Sequence, residues 1–92
     1  MKYTVQYSSL LNYKEVARLA KTDLRRIKKA IEEKLTTRPE LFGKPLTFSL
    51  KGHRRLRVGD YRVIFRMEEK TVYIILIAHR SVVYEEYEKR KG

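Results

Sequence analysis

The stretch Leu56-Arg57-Val58-Gly59-Asp60-Tyr61-Arg62-Val63-Ile64-Phe65 decides the fold, because it joins two alternating apolar segments at a glycine. Alternation with period two marks half-buried strands, and Val58-Gly59-Asp60 between them reads as a tight hairpin connection. One strand is expected over His53 to Arg57 and its antiparallel partner over Tyr61 to Met67. In the first, Arg54, Leu56 and Val58 share a face opposite His53, Arg55 and Arg57. In the second, Tyr61, Val63, Phe65 and Met67 share a face opposite Arg62, Ile64 and Arg66. The turn register decides which faces coincide.

Working outward, Glu68-Glu69-Lys70 is a second turn, and Thr71 to His79 is a third strand whose run from Val72 to Ile77 predicts burial on both faces. Ser81 is placed to cap a short final helix, supported by Glu85–Lys89 and Glu86–Arg90 pairs. Upstream, Lys2 to Tyr7 alternates as a first strand, with Tyr3, Val5 and Tyr7 on one face. Ser8 and Ser9 are candidate caps for a helix carrying Tyr13, Val16, Ala17 and Ala20. A second helix is expected from Thr22 or Asp23, with Leu24, Ile27, Ile31 and Leu35 as its buried stripe. It ends near Thr36 or Thr37, since Arg38 precedes Pro39. From Pro39 to Gly52 the signals are those of a loop anchored by Leu41, Phe42, Leu46, Phe48 and Leu50.

The order is β-α-α-β-β-β-α. It predicts an α+β domain with a mainly antiparallel four-stranded sheet, two N-terminal helices packed on one face and a short C-terminal helix. A length of 92 residues fits one domain. Cysteine is absent, which argues for a reducing, intracellular compartment, and no apolar run is long enough to span a bilayer. With 22 Lys+Arg against 11 Asp+Glu, the formal charge of +11 points to a polyanionic partner.

The densest basic cluster is Lys51, Arg54, Arg55, Arg57 and Arg62, opposed within its span by Asp60 alone. If the hairpin faces coincide, His53, Arg55, Arg57 and Arg62 meet His79, Arg80 and Tyr84 in a groove suited to a phosphodiester, where guanidiniums bind nonbridging oxygens and a tyrosine stacks on a base. A second basic set, Arg25, Arg26, Lys28 and Lys29, lies on the second helix. Blander roles compete: edge-strand arginines that block aggregation, an Arg62 ion pair with Asp60, Glu68 or Glu69, surface histidines, and Tyr84 and Tyr87 as packing residues. There is no nucleotide-binding glycine motif, no carboxylate cluster at metal-ligand spacing, no cysteine nucleophile and no serine elbow. A phosphodiesterase drawn from this inventory is therefore expected to use neither metal nor cofactor.

The sequence resembles the RelE/ParE toxin superfamily, most closely its RelE-like mRNA interferase branch. The resemblance covers essentially the whole chain as a single domain over 1–92. It rests on Phe42-Gly43-Lys44-Pro45-Leu46, Leu50-Lys51-Gly52, Leu56 to Phe65, and Ile77-Ala78-His79-Arg80 followed by Tyr84. It implies a cytoplasmic toxin of a type II toxin–antitoxin module that cuts mRNA in the ribosomal A site by 2′-hydroxyl attack. Its implied partners are an acidic, RelB-like antitoxin, the ribosome and its RNA, and mRNA; no membrane is implied.

Carried over residue by residue, Arg62 is expected to stabilise charge on the pentacoordinate phosphate. Arg80 is expected to protonate or stabilise the leaving 5′-oxygen, and Tyr84 to position the substrate. His53 and Arg55 occupy the paired basic positions of the first hairpin strand, where His53 replaces a lysine and becomes a candidate base. His79 is a second candidate base. Lys51, Arg54, Arg57, His79, Arg25, Arg26, Lys28 and Lys29 complete the expected RNA-binding set. The competing functions are ParE-like inhibition of DNA gyrase and a catalytically weak RNA-binding domain.

Overall fold

The computed structural model describes the backbone over residues 2–42, 44–45 and 52–91, and side chains within 2–40 and 52–90. The elements are β1 (Thr4–Tyr7), α1 (Tyr13–Ala17), α2 (Lys21–Ala30, continued by a π-helical turn over Ile31–Leu35), α3 (Pro39–Phe42), β2 (Lys44–Pro45), β3 (Arg54–Val58), β4 (Tyr61–Glu68), β5 (Thr71–His79) and α4 (Val83–Lys91). The four expected strands form one sheet, and the short β2 extends it to the order β1-β5-β4-β3-β2. β1 runs parallel to β5 and every other neighbour pair is antiparallel. The segment expected as a loop after Pro39 thus contains α3 and β2; its anchors Leu46, Phe48 and Leu50, and the basic Lys51, lie outside the described residues.

Two cores lie on opposite faces of the sheet. Leu56, Val58, Val63, Phe65, Val72, Ile74 and Ile77 pack against Ile27, Ile31 and Leu35 of the second helix. On the other face Ile64 and Leu76 bury Val83, with Ala78 and Tyr87 beside them. α4 therefore does not join the N-terminal helices but covers the reverse side. Adjacent β4 residues Ile64 and Phe65 serve different cores, as pleat alternation requires. A register shift there pairs Ile64 with Leu76 and Phe65 with Ile74, leaving Ile75 unopposed.

The stripe Ile27, Ile31 and Leu35 repeats every four residues, which advances about 40° past a full turn in an α-helix. The π turn over Ile31–Leu35 winds less per residue and brings Leu35 back over the sheet, where it is fully buried. The expected caps are not the ones used. α2 follows Ala20 with no side-chain cap, and Ser8 Oγ accepts the Leu10 amide in a local turn. The residue before α1 is Asn12, whose side chain also caps nothing in its own helix. Instead its Nδ2 donates to the Ile77 carbonyl at 2.7 Å and its Oδ1 accepts from the Ile77 amide at 3.0 Å. A buried side-chain amide thus completes β5 where β1 has ended. In α4 Glu86 pairs with Lys89 at a spacing of three in place of the expected pairs at a spacing of four, and Arg90 donates to the Leu10 carbonyl.

Replacing Asn12 by Leu keeps the branched shape but orphans both main-chain groups of Ile77. The loss expected in urea unfolding is roughly 2–4 kcal/mol, the penalty for two unsatisfied buried polar groups; a loss near zero would mean that β5 does not depend on Asn12.

Candidate phosphodiester site

The hairpin register settles which faces coincide. Arg57 pairs with Arg62, Arg55 with Ile64 and Val58 with Tyr61, so Gly59-Asp60 is a two-residue turn. On β5, Arg62 faces Ala78. Residues opposite one another project to the same side, which places Arg55, Arg57 and Arg62 on the α4 face and, by alternation beyond Ala78, Arg80 with them. Gly59 makes the turn possible: its φ of 59° lies where only glycine is unstrained, and a Cβ there would meet the Arg26 guanidinium at 3.0 Å.

These cations line a cavity of about 590 Å³ together with His79, Ser81 and Tyr84. No carboxylate is among its described lining residues. Each element contributes a defined part: β3 supplies Arg55 and Arg57, β4 supplies Arg62, β5 ends in His79, and Arg80 follows it in the turn. α4 supplies Tyr84, held in place by the buried Val83 beside it. Arg62 Nη1 donates to the carbonyls of Gly59 and Tyr61, both at 2.9 Å, and makes none of the expected ion pairs. Glu68 is taken by Arg66 at 2.5 Å, while Asp60 lies 3.8 Å from Arg80 Nε. Arg55 donates to the Tyr84 hydroxyl, and its guanidinium stands 5.8 Å from the ring centroid. Tyr84 remains 41% exposed, so its ring is open to a stacking partner, whereas Tyr87 packs against the small core.

The two histidines sit differently. His53 shares the cavity's face but lies beyond Arg55, where its Nδ1 is 2.5 Å from the Tyr87 hydroxyl and the rings meet edge to face at 5.3 Å. It is not among the lining residues. His79 is at the rim, paired in register with Tyr61 on the α2 side and edge-on to it at 5.6 Å. The Ser81 amide donates to His79 Nδ1 at 3.1 Å, and the Ser81 hydroxyl is 2.8 Å away. An Nδ1 that accepts an amide proton leaves the neutral ring's proton on Nε2, making His79 a donor and not a ready base. Ser81, expected only as a helix cap, thus sets a tautomer at the site. The signal was its position two residues after His79.

Of the wider basic set, Arg57 joins the cavity, while Arg54 projects to the opposite face in register with Phe65. Arg25, Arg26, Lys28 and Lys29 lie on exposed turns of α2, across the sheet from the cavity. Arg26 lines a second, smaller cleft of about 190 Å³ with Asp23, Asp60, Tyr61 and His79. There the Tyr61 hydroxyl donates to Asp23 Oδ2 at 3.5 Å. Among the described residues no group of three or more His, Asp or Glu is placed to hold a metal ion, and no helix is long and apolar enough to cross a membrane.

A family model described as the ParE toxin of the type II toxin–antitoxin system parDE matches residues 13–84. The chain belongs to the RelE/ParE toxin superfamily. Among curated relatives, this RelE/ParE toxin is 42% identical over 52 residues to Toxin RelE of Mycobacterium tuberculosis; the match spans 54% of each chain, about half the relative's length. Among solved structures it superposes with a TM-score of 0.77 on the RelBE2 toxin–antitoxin complex of M. tuberculosis, at 28% identity, covering 87% of this chain and 100% of that one. A free-state mutant of Escherichia coli toxin RelE gives a TM-score of 0.68 at 27% identity over 98% of both chains. The α+β fold and the type II toxin assignment read from the sequence are thereby shown.

Burial, then the Asp23 carboxylate, pushes the Tyr61 phenol above its ordinary value of 10.0. The folded state holds that proton more tightly, so its stabilising share is whole below the unfolded value and is lost as pH rises through the folded one. Alkaline NMR titration should place the Tyr61 midpoint above that of free tyrosine, with Asp23→Asn lowering it part of the way. An ordinary midpoint in the wild type would contradict this environment.

Proposed function

We propose that this toxin is a ribosome-dependent endoribonuclease that cleaves mRNA in the A site. The observation that carries the reading is the convergence of Arg55, Arg57, Arg62 and Arg80 with Tyr84 in one cavity free of described carboxylates. In the proposed reaction the 2′-oxygen attacks the adjacent phosphorus and gives up its proton to water, and the P–O5′ bond breaks as the 5′-oxygen takes a proton from water, leaving a 2′,3′-cyclic phosphate and a 5′-hydroxyl. Arg62, fixed by two carbonyls, faces the charge that develops on the nonbridging oxygens. Arg80 stands at the leaving oxygen, and Tyr84 stacks on a base. Arg55 and Arg57 bind flanking phosphates. No metal or cofactor takes part. The working partners are the ribosome and its mRNA, and in the resting cytoplasm an acidic RelB-like antitoxin whose charge answers the chain's +11. The exposed cations of α2 add a phosphate-binding surface across the sheet from the cavity.

Catalysis in this reading is led by charge stabilisation, because neither histidine is poised to take the 2′-proton. His53 has its Nδ1 engaged by the Tyr87 hydroxyl, and His79 carries its neutral proton on Nε2. His53→Gln is therefore expected to leave the pH–rate profile unchanged, whereas loss of an acidic limb near neutrality would make His53 the base after all.

ParE-like gyrase inhibition is the second reading, favoured by the family description that matches residues 13–84. Primer extension on translated mRNA separates the two. The wild type is expected to cleave, and Arg62→Ala or Arg80→Ala to slow single-turnover cleavage by about 10²–10³-fold with a far smaller loss of ribosome affinity. Intact transcripts, together with cleaved-DNA complexes on purified gyrase, would replace the ribonuclease reading.

A further inference from the structure

The Gly59-Asp60 turn holds two of the cavity's guanidiniums at once. Its carbonyl at Gly59 accepts from Arg62 Nη1 at 2.9 Å. The Asp60 carbonyl accepts the Arg80 amide at 2.8 Å, and the Asp60 carboxylate lies 3.8 Å from Arg80 Nε. The turn is braced from behind by α2: the Arg26 guanidinium packs on Gly59, and Asp23 takes the Tyr61 hydroxyl. α2, buried against the sheet through Ile27, thus backs the turn that touches both arginines.

The Asp60 carboxylate has no evident structural use. Side chains 61% and 70% exposed form a pair too well solvated to contribute much to stability. Nor does a negative charge beside a polyanion's cavity favour binding. At 3.8 Å the contact is an ion pair and not a hydrogen bond, but it draws Nε toward the turn and leaves the Nη edge for a phosphate.

We propose that Asp60 is the positioning residue for Arg80, trading some attraction for RNA against a preferred direction of that guanidinium at the scissile phosphate. This rests on the endoribonuclease reading, and the test separates the two. In the free protein, the Arg80 Nε–Hε NMR resonance of Asp60→Asn is expected to collapse toward that of a solvated arginine, with the Arg62 resonance and the melting temperature retained. On ribosomes programmed with mRNA, Asp60→Asn is expected to slow single-turnover cleavage by about tenfold, with affinity equal to or tighter than wild type. Asp60→Glu is expected to recover part of the rate. An unmoved Arg80 resonance, an unchanged cleavage rate, or parallel losses of affinity and rate would each overturn the proposal. If the wild type itself leaves mRNA intact, the endoribonuclease reading fails, and the resonance comparison still decides whether Asp60 orients Arg80.

Discussion

Arg57 and Arg62 face each other directly across the β3–β4 hairpin, a like-charge pair that side-chain energetics alone would avoid. What imposes it is the reverse side of the same strands. Leu56, Val58, Val63 and Phe65 are buried against α2, and a slip of one residue would turn all of them to the other face. The two-residue turn, with Gly59 at positive φ, admits this register without strain. Hydrophobic burial on one face therefore concentrates positive charge on the other, and the cavity follows from that constraint.

The sheet's two faces divide the work. The larger core carries the N-terminal helices and most of the burial, so it can hold an unfavourable cluster of cations on the opposite face. The smaller core of Ile64, Leu76 and Val83 sets the start of α4 and with it Tyr84. Asn12 closes the end of β5 just before His79 and Arg80 leave the strand, tying the last cavity residues to the N-terminal half of the chain. The cations are then held by mostly neutral partners: main-chain carbonyls for Arg62 and a tyrosine hydroxyl for Arg55. Neutral acceptors orient a guanidinium without cancelling its charge, which keeps the site attractive to an anion.

Much of this was legible in the sequence because it follows from period and turn chemistry. The alternation around Gly59 gave β3 and β4, and the apolar run gave β5; Arg55, Arg57, Arg62, Arg80 and Tyr84 were named before their convergence was visible. What was not legible depended on packing between distant segments. Asn12 read as nothing in particular, since its partner is at Ile77. Ser81 read as a cap, since the tautomer it sets arises only from the bend after β5. The side of the sheet taken by α4 turned on two-sided burial of β4, which a strand pattern alone does not resolve, and nothing in the neighbourhood of His53 announced the Tyr87 hydroxyl beside its Nδ1. Arg54 differed from its neighbours only by strand parity, and parity placed it correctly once the register was known.

The central claim is that an arginine-lined cavity in this RelE/ParE toxin lets RNA supply its own nucleophile. The chemistry of the cut ends tests that most directly. Mass spectrometry of mRNA fragments from programmed ribosomes treated with the purified chain should find a 2′,3′-cyclic phosphate upstream of the cut and a 5′-hydroxyl downstream. A 3′-hydroxyl paired with a 5′-phosphate would mean attack by water, and would contradict the account.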